Sequence, residues 1–100
     1  MRPSSPSNGR TIATIAKGLS HPSRVAIVRR LADGQERMAR DIVESSGLAQ
    51  STVSEHLRLL RDAGIVTSRR DGPRVWYRLR ADVLHEFADV VEHVVERSSR

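Results

Sequence analysis

Cysteine is absent from all 100 residues, which excludes disulfides, thiolate metal ligands and a thiol redox switch, and leaves nothing that argues for export. Long apolar runs are missing as well. None approaches the roughly 18 residues of a membrane-crossing helix, and the N-terminus has no apolar signal-peptide core, so a soluble cytoplasmic protein with no membrane partner is expected. Lysine is nearly absent: Lys17 stands alone against 16 arginines. That bias suits bidentate contacts to phosphate and guanine, although a GC-rich genome would produce it equally. The length supports one domain with a single modest core shared among all its elements, and pairing with a second copy would supplement that core.

What the chain does contain is a basic excess, a formal net charge of +5, spread unevenly. Residues 1 to 36 sum to +4, residues 37 to 80 to +4 and residues 81 to 100 to −3. Between Arg69 and Arg80 lie five arginines and one aspartate, the make-up of a surface that follows a phosphate backbone. A solvated basic hairpin would have the same composition.

The chain is organised around Gln50 to Ala63. At about 100° per residue, Val53, Leu57 and Leu60 fall on one narrow stripe, while Ser51, Glu55, Arg58 and Asp62 line the opposite side with Ser54 beside them. Upstream, Met38 to Ser45 suits a shorter helix, and Ser46-Gly47-Leu48 a tight joint. Helix, glycine turn, helix is the helix-turn-helix arrangement, but bundles that never touch DNA also join two amphipathic helices at a glycine. The continuation separates the two readings. Ala63-Gly64 closes the helix, Ile65 to Arg70 reads as a strand, Asp71-Gly72-Pro73 as a turn and Arg74 to Leu79 as the returning strand of a β-hairpin wing.

The flanking elements follow from periodicity and breakers. Ile12, Ile15, Ala16 and Leu19 give a first helix over Thr11 to Leu19, with Gly18 weakening its end. Pro22 restarts the chain with His21 as a helix-start residue, and the second helix runs to about Ala32, burying Ile27, Val28 and Leu31 before Asp33-Gly34 ends it. Val83, Leu84, Phe87, Val90, Val91, Val94 and Val95 make one broad arc of a last helix, Ala81 to Arg97. The fold predicted is mainly α with a small β-hairpin: a winged helix-turn-helix of five helices and a two-stranded wing, in the order ααααββα. It occupies residues 11–97, between a disordered N-terminal tail, 1–10, and a disordered end, 98–100.

The run Ser51-x-Val53-Ser54-x-His56-Leu57-x-x-Leu60-Arg61-x-Ala63-Gly64-Ile65-Val66, with Arg70-Asp71-Gly72 and Trp76-Tyr77-x-Leu79 after it and His21-Pro22-x-Arg24 before it, resembles the ArsR/SmtB family of small winged-helix repressors. The resemblance spans about residues 11 to 97 and implies a homodimeric operator-binding repressor, often released by a metal or another small signal. Two departures stand out. The metal-responsive members open their third helix on a Glu-x-Cys-x-Cys-Asp-Leu box, and the matching stretch here is Glu36-Arg37-Met38-Ala39-Arg40-Asp41-Ile42, with a thioether and a guanidinium in place of the thiolates. Ala49 also stands where the family commonly has an N-cap for the recognition helix, leaving Gln50 or Ser51 to substitute.

These observations assign candidate roles. Ser51, Thr52, Ser54, Glu55 and Arg58 are expected to face the major groove of double-stranded DNA, with Gln50 near its entrance and Arg69, Arg70 and Arg74 as wing contacts. Ile12, Ile15, Leu19, Phe87, Val91 and Val94 are expected to form a homodimer seam between the first and last helices. On the last helix's polar arc, His85, Asp89 and His93 recur at i, i+4 and i+8 with Glu96 beyond, a spacing that could hold zinc or nickel but that equally describes a solvated face. The ligand positions implied by the resemblance fall on Ala81, Val83, Val94 and Arg97, none of which coordinates. No cofactor is therefore expected, and the effector, small molecule or protein, is unidentified. Alongside a sequence-specific repressor stand a metal-responsive sensor using His85, Asp89, His93 and Glu96, and a winged-helix protein-interaction module. An enzyme is not expected, because no nucleophile, base and orienting group share a usable spacing. DNA binding is accordingly expected to be independent of zinc, nickel and cobalt. A tenfold change in affinity with any of them, about 1.4 kcal/mol, would assign a site to the four polar residues of the last helix.

Overall fold

The computed structural model describes residues 12–99, so the tail expected over Met1 to Arg10 lies outside the described residues. The first helix, α1 (12–18), turns Ile15 wholly into the core and leaves Ile12 and Leu19 half-buried at its edge. α2 (Pro22–Arg30) opens on a proline at its first position, where the N–H donor that proline lacks would have had no intrahelical partner. His21 caps it, its Nδ1 accepting the Ser23 N–H at 3.0 Å. The helix stops two residues short of Ala32 because the Leu31 N–H is shared between the Ile27 and Val28 carbonyls, which tightens the last turn.

The sheet has three strands rather than the two expected. β1 (Arg37–Met38) pairs antiparallel with β3 (Arg74–Leu79), which pairs in turn with β2 (Val66–Asp71), giving the order β1-β3-β2. Met38, expected inside the third helix, is drawn into β1 opposite Trp76, and α3 (Ala39–Ser46) begins one residue later. The physical reason is an edge: without Arg37 and Met38, the outer side of β3 would carry unpaired N–H and C=O groups. Two residues are too few to show any alternation in sequence. Across the same sheet, Glu36 reaches Arg69 through two hydrogen bonds of 2.8 Å, and the Arg69 guanidinium lies 5.6 Å from the centre of the Trp76 ring. This staple joins the strand ends on either side of β3.

Gly47 ends α3 in the left-handed conformation, and the chain re-enters a helix at α4 (Gln50–Asp62). α4 buries Val53, His56, Leu57 and Leu60 and closes with a Schellman motif. The Ile65 N–H bonds the Leu60 carbonyl at 3.0 Å and the Gly64 N–H the Arg61 carbonyl at 2.9 Å, with Gly64 at φ 78°, where a side chain would be strained. Ile65 and Leu60 are both fully buried in the same core cluster. One core results, from Ile15, Ile27, Leu31, Ile42, the α4 stripe, Ile65 and Val66. α5 (Ala81–Ser98) contributes no fully buried residue and lays only Val83, Leu84 and Phe87 against it. It also outruns its expected end at Arg97: the Ser98 and Ser99 hydroxyls donate to the Val94 and Val95 carbonyls at 2.9 Å, carrying regular structure into the segment expected to be disordered.

Gly18 is more than a weak helix end. A Cβ there would sit 2.8 Å from Ile65 Cδ1 and 2.9 Å from Ala63 Cβ, so its bareness lets α1 approach the end of α4. The Ile65 tip can rotate, but Ala63 Cβ is fixed to the backbone. Overpacking of about 1–3 kcal/mol should exceed the ~1 kcal/mol by which alanine is favoured in a helix. Gly18→Ala is therefore expected to lower the urea midpoint of unfolding, and an unchanged or raised midpoint would show that α1 can withdraw.

Candidate nucleic-acid interface

Because α4 sinks Val53, His56, Leu57 and Leu60 inward, Gln50, Ser51, Thr52, Ser54, Glu55 and Arg58 are all exposed along its other side. Its N-terminus has no side-chain cap: Ala49 supplies none, and neither Gln50 nor Ser51 makes the bond in its place. Val53 is the first α4 residue whose N–H finds a helix carbonyl, that of Ala49 at 3.1 Å, so the preceding N–H groups are open to an outside acceptor. With the positive end of the helix dipole, they favour an anion at this point. The joint before it is held by the Ser46 hydroxyl, which accepts the Leu48 N–H at 3.0 Å and donates to the Val43 carbonyl at 2.8 Å.

Between α3, the start of α4 and the wing runs a groove of about 570 Å³, lined among others by Arg40, Val43, Gln50, Ser54, Arg74 and Tyr77. Arg40 and Arg74 put cations on its rim, and neither takes part in an ion pair among the described residues. Arg58 differs. Its guanidinium is held by Glu55 on one side and by Asp62 at 3.0 Å on the other, which raises its pKa and keeps the Glu55 carboxyl below the usual carboxylate range. Alternation along the strands also divides the wing arginines. Arg70 shares the face of Val66, Ser68, Val75 and Tyr77, which includes the core contacts, whereas Arg69 lies on the opposite face with Trp76 and is engaged by Glu36.

The residues expected at a dimer seam fall into two groups. Ile15 is 0% exposed and belongs to the core of its own chain, and Ile12, Leu19 and Phe87 are half-buried against that core. Val91 and Val94 are open, 46% and 57% exposed, and with Val90 and Val95 they form an uncovered apolar stripe on α5. The polar arc of α5 is exposed throughout; His85 and Asp89 come within 3.9 Å, but no group of three or more His, Cys, Asp or Glu converges on a point among the described residues. The family's metal chemistry does not fit this donor set. Met38 is committed to β1, Arg40 carries a cation to the groove rim, and Ala81, Val83, Val94 and Arg97 offer no ligand atom.

Sequence reasoning missed the partners of His56. Its ring is buried behind α4, where Arg24 Nη1 lies 3.2 Å from Nδ1 and the His21 ring is centred 4.6 Å away. The spacing Val53, His56, Leu57, Leu60 carried that signal, since i, i+3, i+4, i+7 is one helix face and puts His56 on the inward side.

Among the described residues no helix is long and apolar enough to cross a membrane. A family profile described as "Bacterial regulatory protein, arsR family" matches residues 21–68. The chain is 39% identical over 75 residues to the arsenical resistance operon repressor of Staphylococcus aureus, covering 75% of this chain and 71% of that one. It is also 39% identical over 83 residues to the repressor SmtB of Mycobacterium tuberculosis, covering 82% of this chain but 61% of the relative's length. Among solved structures, a homodimeric winged helix-turn-helix DNA-binding domain from Mycobacterium bovis superposes with a TM-score of 0.73 at 30% identity, covering 98% of this chain and 90% of that one. These relatives are named as regulators of transcription or as DNA-binding domains, not enzymes. An outward, uncapped α4 beside an arginine-bearing wing is thus carried by a chain that belongs to the ArsR/SmtB family of winged helix-turn-helix transcriptional regulators.

Proposed function

We propose that the chain is a homodimeric repressor that acts in the cytoplasm and places α4 of each copy in successive major grooves of a palindromic operator. The observation that carries this reading is the outward face of α4, short hydroxyl side chains at an uncapped N-terminus followed by Glu55 and Arg58. Backbone N–H groups there can hold a phosphate while Ser51, Thr52 and Ser54 approach base edges, with Gln50 at the entrance. In the free protein Arg58 is neutralised by Glu55 and Asp62, so reading a guanine means exchanging carboxylate partners for O6 and N7. That exchange favours sites offering both acceptors and penalises those offering none.

Arg70 and Arg74 are proposed as phosphate contacts from the wing. Arg69 can join them only by leaving Glu36 and uncovering Trp76. The two-fold partner is proposed to cover the stripe of Val90, Val91, Val94 and Val95, as the M. bovis relative's homodimeric state supports. The two α4 helices would then be held about 34 Å apart, one turn of B-DNA.

Arg58→Ala should weaken binding to a selected operator by about 1–3 kcal/mol with a smaller loss on random duplex. Equal losses would make Arg58 a phosphate contact, and no loss on either would show that the face is misassigned. Replacing Arg70 or Arg74 by alanine should flatten the slope of log K against log salt by about one unit each, and Arg69→Ala by less because Glu36 already neutralises it. Unchanged slopes for Arg70 and Arg74 would place the wing off the DNA. For the seam, Val94→Asp is cleaner than Phe87→Asp, since Phe87 also packs on its own core and its loss would confuse dissociation with unfolding. Sedimentation should show Val94→Asp as a folded monomer; a stable dimer would refute the stripe.

A further inference from the structure

The motif His21-Pro22-x-Arg24 is not used by the DNA-facing surface, yet the structure brings it directly behind that surface. Arg24 makes three contacts that no lysine could make together. Nε donates to the Gly18 carbonyl at 2.7 Å, Nη2 to the Ser20 hydroxyl at 3.2 Å, and Nη1 to His56 Nδ1 at 3.2 Å. It therefore ties the end of α1 and the joint before α2 to the back of α4. A guanidinium has no acceptor to offer, so the contact fixes the state of His56: Nδ1 must carry a lone pair, and the neutral ring holds its proton on Nε2. That tautomer takes its next proton at Nδ1, the atom that Arg24 holds.

His21 sits beside it, its Nδ1 accepting the Ser23 N–H at 3.0 Å and its ring centred 4.6 Å from that of His56. The charged or titratable groups facing His56 are His21 ahead of α2, Arg24 on α2 and Glu55 on its own helix. Only Glu55 would welcome a proton there, and its carboxylate is turned to Arg58 on the outer side. Burial, reinforced by His21 and Arg24, holds His56 below the ordinary histidine range. An unfolded histidine accepts its proton first, so stability is level above about pH 6.5 and falls as the pH drops below it.

Resting on the DNA-binding reading above, we propose that Arg24 and His56 are positioning residues: the Arg24 contact to neutral His56 sets the roll of α4, and protonating His56 releases it and abolishes sequence discrimination. Ser54, Glu55 and Arg58 flank His56 along the chain, so a small rotation at its back moves all three relative to base edges. Phosphate attraction needs no such alignment and survives.

The test uses the full chain and a duplex selected from a random-sequence library at about pH 7.5, with a scrambled duplex of equal length as the comparison. Lowering the pH stepwise to about 5.0 should cut the ratio of selected to scrambled affinity progressively, several-fold at the lowest pH, without weakening scrambled binding, to which protonation only adds positive charge. In His56→Asn an amide oxygen takes the place of Nδ1 and cannot titrate, so the ratio should stay flat over that range. The double variant His85→Gln, His93→Gln should keep the wild-type pH response. An unchanged wild-type ratio at the lower pH, or a pH response retained in a folded His56→Asn, would overturn the proposal. So would ring-nitrogen NMR of the wild-type protein without DNA, if it found His56 as the Nδ1–H tautomer or charged at neutral pH; this readout holds even if the variant does not fold. Failure to select any preferred duplex at pH 7.5 would overturn the DNA reading itself, which the NMR result cannot do.

Discussion

The packing of Val53, Leu57 and Leu60 against one small core is the constraint on which the rest of this molecule depends. Three side chains at 0–1% exposure fix where α4 points, and their neighbours come from α1, α2, α3 and the start of β2. Each fully buried aliphatic side chain contributes about 1.5–3 kcal/mol, so the stripe is a large share of what a domain this size can have. A large rotation of α4 would break it all at once, which leaves only a small residual roll for the Arg24 contact to His56 to set. The exit from α4 is equally determined, because the Schellman turn sends Ile65 back under the helix, and the Arg80 N–H then bonds the Ile65 carbonyl at 2.7 Å. Wing and last helix are thereby referred to the same point.

Electrostatics divide the outer surface into cations already satisfied and cations still available. Arg37, Arg58, Arg69 and Arg80 are held by Asp33, by Glu55 and Asp62, by Glu36 and by Asp82, whereas Arg40, Arg70 and Arg74 have no such partner among the described residues. These exposed pairs add little to stability. On the proposed reading their importance is in partner exchange: a neutralised guanidinium contributes less to indiscriminate attraction and more to the difference between a site that replaces its carboxylates and one that does not. A basic chain that must ignore most of a genome gains from that arrangement.

α5 shows the opposite economy of contacts. Eighteen residues are helical, yet none is fully buried, and four valines near its C-terminal end remain 37–57% exposed. Five valines in one helix are poor for intrinsic propensity, so tertiary or quaternary packing has to support it. The inner end is supported by the core through Val83, Leu84 and Phe87; the outer end waits for a surface the single chain does not provide.

Periodicity and breakers in the sequence determined the helical segments, the glycine joint, the hairpin around Gly72-Pro73 and the division of α4 into two faces, because each depends on residues close along the chain. Tertiary structure alone decided the features that depend on distant ones. β1 is two residues long and exists only because β3 offers an edge; Arg69 turns from a free cation into a clamped one because Glu36, 33 positions earlier, lies across the sheet. Ile15 moved from an expected seam into the core because it joins the one cluster that also gathers residues of α2, α3, α4 and β2, which its own spacing cannot reveal. His56 is the clearest case: its inward direction was legible from the helix period, but what favours its neutral form is burial together with His21 and Arg24, 35 and 32 residues away, and contacts of that kind have no signature in local sequence.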